Sequence, residues 1–187
     1  MKKNITKLGA MALVGIMGMG LAAAPVSAAP ATKTTDVFYT TSSTTIDADG
    51  KVVMVVPAAV GLTKENPEEE FAVTMQTSDP NGHLPEDFNA QVKVSSANKG
   101  KLKNDTLKKE YAYKLQVNKT PLSLETETDF HTFIVSGKDT HSVEQKATAK
   151  VEKDSIDKME VEKPGTVFKD TLTFKVTSLT GTGLTAK

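Results

Sequence analysis

Apolar and polar side chains alternate with a period of two along most of this chain, and that pattern limits its fold more than any other feature. In YAYKLQVN, Tyr111, Tyr113, Leu115 and Val117 share one face, and Ala112, Lys114, Gln116 and Asn118 share the other. In DFNAQVKVS, Phe88, Ala90, Val92 and Val94 alternate with Asn89, Gln91, Lys93 and Ser95. TVFKDTLTFKVT places Phe168, Leu172, Phe174 and Val176 inward, with Lys169, Thr171, Thr173 and Lys175 outward. Phe71, Val73 and Met75 repeat the pattern, as do Val143, Ala147, Ala149 and Val151. Only an extended strand brings residues i, i+2 and i+4 onto one face, so these segments are predicted as half-buried antiparallel strands.

Two further segments are apolar on both faces, KVVMVVP (Lys51 to Pro57) and FHTFIVS (Phe130 to Ser136). They read as central strands or as strands between two sheets. Turn chemistry separates the runs: Asp49-Gly50, Asp79-Pro80-Asn81-Gly82, Asn98-Lys99-Gly100, Ser136-Gly137 and Pro164-Gly165. No long helical stripe is present. Residues 62–70 and 153–158 are each long enough for one acidic turn, and Ile156 is the only apolar residue of the second. Eight or nine short strands with frequent turns predict an all-β fold, an immunoglobulin-like antiparallel β-sandwich. Internal repeats and linkers are not evident.

The first residues follow another logic. Lys2, Lys3 and Lys7 precede an uncharged run from Leu8 to Ala24, then Pro25 and the small-x-small triplet Val26-Ser27-Ala28. This is the pattern of a cleavable export signal over residues 1–28, cut after Ala28. Residues 29–187 then form a single sandwich domain, with 29–35 and 178–187 expected to fray. No cysteine follows the apolar run, which argues against a lipid anchor, and no LPxTG-like motif closes the chain. The expected location is therefore the extracellular medium or a loose association with the cell wall, with no membrane span once the signal is removed.

Composition now becomes informative. The 187 residues carry 23 lysines and 23 acidic residues, with no arginine, cysteine or tryptophan. Three of the lysines belong to the signal, so the exported part holds 20 lysines against 23 acids and is mildly acidic. Without cysteine there is no disulfide, zinc–thiolate site or cysteine nucleophile. Without an arginine stock or basic excess, a nucleic-acid partner is not expected.

Candidate chemistry is sparse. His83 lies in a turn, His131 in a strand and His141 in a loop, with no two spaced as a metal pair on one element. Asp47-Ala48-Asp49-Gly50 resembles the opening of a calcium loop, but the chain runs straight on into KVVMVV and supplies no closing glutamate. Asp-Gly between two β-prone runs is hairpin chemistry instead. The acidic run Glu68-Glu69-Glu70 and the lysine-rich stretch Lys99 to Lys109 read as solvated loops rather than binding patches. No catalytic residue, metal ligand or cofactor is nominated. The Thr-rich segment Thr34 to Thr45 has Val37, Phe38 and Tyr39 as its main apolar anchors. It is either an ordinary first strand or a strand that adds to a neighbour's sheet edge.

Three patterns carry a resemblance: VMVVPAAVGL (Val53 to Leu62), EYAYKLQVN, and KPGTVFKDTLTFKVT (Lys163 to Thr177). Together they resemble small secreted Gram-positive surface proteins with an immunoglobulin-like β-sandwich, and the closing strand is similar to spore-coat-U-like and pilin-type subunits. The resemblance implies a surface, adhesive or structural role. Relatives that bind the cell wall through a Trp-x-Leu motif need a tryptophan, which this chain lacks.

The expectation is an exported, non-catalytic protein at the bacterial surface, in adhesion, matrix or structure. Its partner would be a cell-envelope or extracellular protein or glycan, with self-association through edge strands as another mode. One alternative is a filament or coat subunit assembled by edge-strand donation. The other is a secreted hydrolase or ligand-binding protein whose cleft is built from residues distant in sequence.

Overall fold

The protein is described by a computed structural model covering residues 23–28, 41–160 and 166–185. The apolar run before Ala23, the stretch 29–35 and the Pro164-Gly165 turn lie outside the described residues. Among the described residues the fold is all-β with one short helix. Its elements are β1 (Ala23–Ala28), β2 (Thr41–Thr45), β3 (Val52–Pro57), β4 (Val60–Leu62), β5 (Glu68–Thr77), β6 (Asn89–Ser96) and β7 (Lys101–Asn104). They continue with β8 (Lys109–Val117), β9 (Thr120–Pro121), β10 (Thr128–Ile134), β11 (Ser142–Val151), α1 (Lys153–Glu160) and β12 (Phe168–Thr180).

Hydrogen bonding links the strands in the order β10-β6-β12-β7-β8-β11-β5-β3-β2. Off that path, β9 pairs with β8, and β1 lies between β12 and β4. Among the described residues, every strand pair is antiparallel apart from β1 with β4. The sheet doubles back on itself. Phe174 of β12 meets Phe71 of β5 edge-on at 6.3 Å, although β7, β8 and β11 separate those strands along the path. Phe174 also meets Phe130 of β10 at 5.0 Å. One apolar cluster fills the space between, with Phe88, Phe133, Phe168, Phe174, Met54 and Met75 among its most buried members. Edge-to-face rings suit the aromatic quadrupole, and burial of this apolar surface drives the fold.

The alternation read from sequence matches the burial. Tyr113, Leu115 and Val117 of β8, Ala90, Val92 and Val94 of β6, and Phe71, Val73 and Met75 of β5 are buried, while Val143 and Val176 are only half-buried. The Asp49-Gly50 hairpin also forms: Gly50 takes φ 74° and the Ile46 amide donates to the Val52 carbonyl at 3.0 Å.

Three expectations need correction. FHTFIVS is not central, because β10 stands at one end of the pairing path. A register shift between Asp129 and His131 breaks the alternation there, so Phe130 and Phe133 both point inward at a spacing of three. The same shift leaves Ile134 56% exposed. Second, α1 continues to Glu160, beyond the single turn read from 153–158, because Met159 joins the buried Ile156 to make an i, i+3 stripe. Third, the tail from Ser178 does not fray at its start. Residues 178–180 extend β12, the Thr182 amide donates to Asp87 at 2.8 Å, and the Ala48 amide donates to the Thr185 carbonyl at 2.9 Å.

Candidate functional site

The most concentrated polar chemistry inside the fold surrounds Asp170. Parity places this residue on the inward face of β12, between Phe168 and Leu172, and it is 1% exposed. A carboxylate there must be satisfied by protein donors. Four reach it: Ser96 Oγ at 2.5 Å and Tyr113 OH at 2.7 Å donate to Oδ2, and the Asn98 and Thr171 amides donate to Oδ1 at 2.9 and 2.8 Å.

The local geometry comes from a break between β6 and β7. Both run antiparallel to β12 on the same side, Ser96 facing Leu172 and Lys103 facing Lys169, so residues 97–100 form an insert between them. Lys99 at φ 55° and Gly100 at φ 73° turn the chain, and a Cβ on Gly100 would approach the Leu124 Cβ to 3.3 Å. Ser96 Oγ accepts from the Gly100 amide at 2.7 Å while donating to Asp170. Asn98 Nδ2 donates to the Lys169 carbonyl at 3.0 Å, and the Ala97 amide to the Thr171 carbonyl at 2.9 Å. Asp170 thus pins the insert and ties β12 to β8 through Tyr113. Burial, then the hydrogen bond to Asp170, pushes the Tyr113 hydroxyl far above its ordinary value, so it stays protonated.

A second polar region lies at one end of the fold, where an open depression of about 300 Å³ is lined by Lys51, Ser78, Asp79, His83, Pro85 and Thr182, among others. Its charged groups hold turns together. Lys51 Nζ donates to Asp49 at 3.1 Å and to the Gly183 carbonyl at 2.7 Å. Asp79 Oδ1 accepts from the Asn81 amide at 2.9 Å. Asp87 accepts from both the amide and the hydroxyl of Thr182, and the amide bond above all holds its carboxyl below the usual range.

The three histidines remain apart in role. His83 is exposed at the rim of the depression. His141 Nδ1 donates to the Gly82 carbonyl at 3.0 Å, closing the Asp79–Gly82 turn from outside. His131 packs edge-on against Phe133 at 4.9 Å, and burial holds its imidazole below the ordinary value. Asp47 of the calcium-like sequence is buried, and its Oδ1 accepts from the Val52 amide at 2.8 Å inside the hairpin, while Oδ2 has no partner among the described residues. Asp49 turns to Lys51. Among the described residues, no group of three or more His, Cys, Asp or Glu is placed to hold a metal ion.

The charged runs expected as loops lie partly in strands, Glu68–Glu70 opening β5 and Lys101–Asn104 forming β7, because their alternate side chains find partners of opposite charge on the neighbouring strands. Glu68 pairs with Lys150 and Glu70 with Lys146 across β5 and β11, each at 2.9 Å. Lys101 and Lys103 both reach Glu110 across β7 and β8. Strand parity alone turns Asp170 inward, since it alternates with Lys169 and Thr171. The sequence does not reveal the hydroxyls of Ser96 and Tyr113, which only strand pairing brings within reach; the available signal is that charged residue on the inward parity of a strand.

Comparison with protein families, with characterised proteins and with solved structures gives no match for this chain.

Proposed function

We propose that this chain is an exported, non-catalytic immunoglobulin-like β-sandwich acting at a bacterial cell surface or in the medium, in an adhesive, matrix or structural role. The observation that carries the reading is the engagement of the polar groups. Asp170, Asp87, Asp79, His141 and Lys51 each hold a turn or a strand in place. The doubled-back sheet around one core supports the sandwich, and the signal pattern of residues 1–28 supports export. The test is fractionation of the producing cells with mass spectrometry of the mature N-terminus. The reading expects the protein in the medium or wall fraction, starting at Ala29; a cytoplasmic chain that retains residues 1–28 contradicts it.

A second reading, a subunit assembled by edge-strand donation, is favoured by one specific observation. Strand β1, which pairs with both β12 and β4, lies wholly within residues 1–28.

A further inference from the structure

Strand β1 is the end of the segment that the sequence marks for removal. It pairs antiparallel with β12 over six residues, from Ala23 opposite Thr173 to Ala28 opposite Phe168. On its other side it pairs in parallel with β4, Val26 opposite Val60 and Ala28 opposite Leu62. A cut after Ala28 therefore removes an internal strand. It leaves a slot two strand spacings wide, about 9–10 Å, between β12 and β4. The core residues Phe168, Leu172, Val60 and Leu62 flank that slot, each at most 3% exposed with β1 in place. Unpaired edges beside apolar side chains are the setting in which strands add.

We propose that the slot between β4 and β12 is an acceptor for a strand donated by a second copy of this chain, and that residues 34–40 are the donor. The inference rests on the reading of residues 1–28 as a cleaved signal. Thr41–Thr45 is already committed to its own molecule, pairing with β3 from Thr41 opposite Pro57 to Thr45 opposite Val53. That narrows the donor to the stretch before Thr41, where Val37, Phe38 and Tyr39 stand among threonines. Such residues suit a strand better than AAPVSA, whose Pro25 cannot donate to a ladder.

Chain reach decides between self and neighbour. An occupant with β1's direction runs parallel to β4 and so moves away from Pro57, where Thr41 must sit. After β1, residues 29–40 are available for that return; a strand ending at Tyr39 would leave Thr40 alone, spanning about 3.5 Å. Parallel neighbours in one sheet need a crossover of roughly a dozen residues. The apolar triad therefore enters a neighbour's slot in this direction. Reversing direction within the same molecule would make the long ladder with β12 parallel, the weaker pairing.

The test uses the full chain, folded first, with a specific protease site placed after Ala28. Light scattering on a sizing column follows the cut and the removal of the released piece. A monomer before cutting and a concentration-dependent ladder of oligomers afterwards is the expected result. Phe38→Asp abolishes the ladder, and a synthetic peptide of residues 34–41 caps it. A chain that stays monomeric after cutting overturns the proposal, because β4 or the chain's own N-terminus has then closed the slot. A ladder that survives Phe38→Asp overturns the choice of donor. Mass spectrometry of the natural protein's N-terminus tests the export reading separately: residues 1–28 found still attached would sink that reading, whatever the cut chain does.

Discussion

The two edges of β12 are held in different ways. On its inner edge, β6, the insert and β7 dock through backbone bonds reinforced by side chains, with Asp170, Ser96, Asn98 and Tyr113 in one network. On its outer edge, β1 docks in register. The inner contact is locked by the buried Asp170; the outer one comes from residues 23–28, which the proposed export signal would take away. The proposed cut would therefore leave β12 held on its inner edge and unpaired along the outer one.

Removing the inner lock gives the largest expected effect. Asp170→Ala takes the acceptor from four donors, and buried donors left unpaired cost about 1–3 kcal/mol each. The expected loss is about 4 kcal/mol or more in denaturant unfolding, with the 97–100 insert loosening first. A loss below about 1 kcal/mol would show that the network does not hold the inner edge.

Tyr113→Phe is the milder version. It deletes one charge-assisted bond and is expected to cost about 1.5–3 kcal/mol at neutral pH. It also sharpens the alkaline limb of stability. The folded state holds the Tyr113 hydroxyl above its ordinary 10.0, so above that pH the unfolded chain releases a proton that the folded chain keeps. Stability falls there as pH rises. Lys101, Lys146 and Lys150, raised by hydrogen bonds to Glu110, Glu70 and Glu68, add contributions that are present below their ordinary 10.5 and lost as pH climbs through the raised values. Tyr113→Phe should flatten the tyrosine part alone, read from unfolding midpoints between pH 9 and 11.

At the acid end, Asp87, Glu110 and Glu152 are held below their ordinary values by Thr182, Lys101 and Lys114 respectively. Their stabilisation is present above the ordinary carboxylate range and lost as pH falls through the lowered values. His131, held low by burial, begins to oppose folding at a higher pH, once the medium drops below its ordinary 6.5. His131→Phe should therefore remove the first, shallow decline in a pH series of unfolding midpoints and leave the steeper carboxylate decline.

The smallest effect belongs to neither edge. Lys146→Ala breaks an exposed, solvent-screened pair with Glu70 and should barely move the midpoint in the same unfolding assay. A larger loss would mean that the β5–β11 face carries more of the fold than the β12 edges.

Much of this difference was half-legible in the residues. Periodicity alone placed Phe168, Leu172 and Phe174 inward, because a strand leaves no other choice. The same parity put Asp170 inward, but its partners Ser96 and Tyr113 lie 74 and 57 residues away, and no local pattern encodes that meeting. FHTFIVS misled because a bulge at Asp129/His131 turns two phenylalanines inward at a spacing that reads as two-faced burial. Ile156 looked isolated because the window stopped short of Met159. The export signal was plain as a pattern, yet nothing in AAPVSA, with its proline and alanines, announced a strand.

The most direct test of the two-edge account is amide hydrogen exchange along β12. Asn98 and Ala97 bond the carbonyls of Lys169 and Thr171, so alternation turns the amides of Asp170 and Leu172 toward β1 and those of Thr171 and Thr173 toward the inner edge. The measurement compares the full chain with the Phe38→Asp chain cut after Ala28 and held as a monomer. The account predicts that Asp170 and Leu172 lose protection by about tenfold or more while Thr171 and Thr173 keep theirs. Equal protection of all four amides after the cut, or an equal loss, would contradict it.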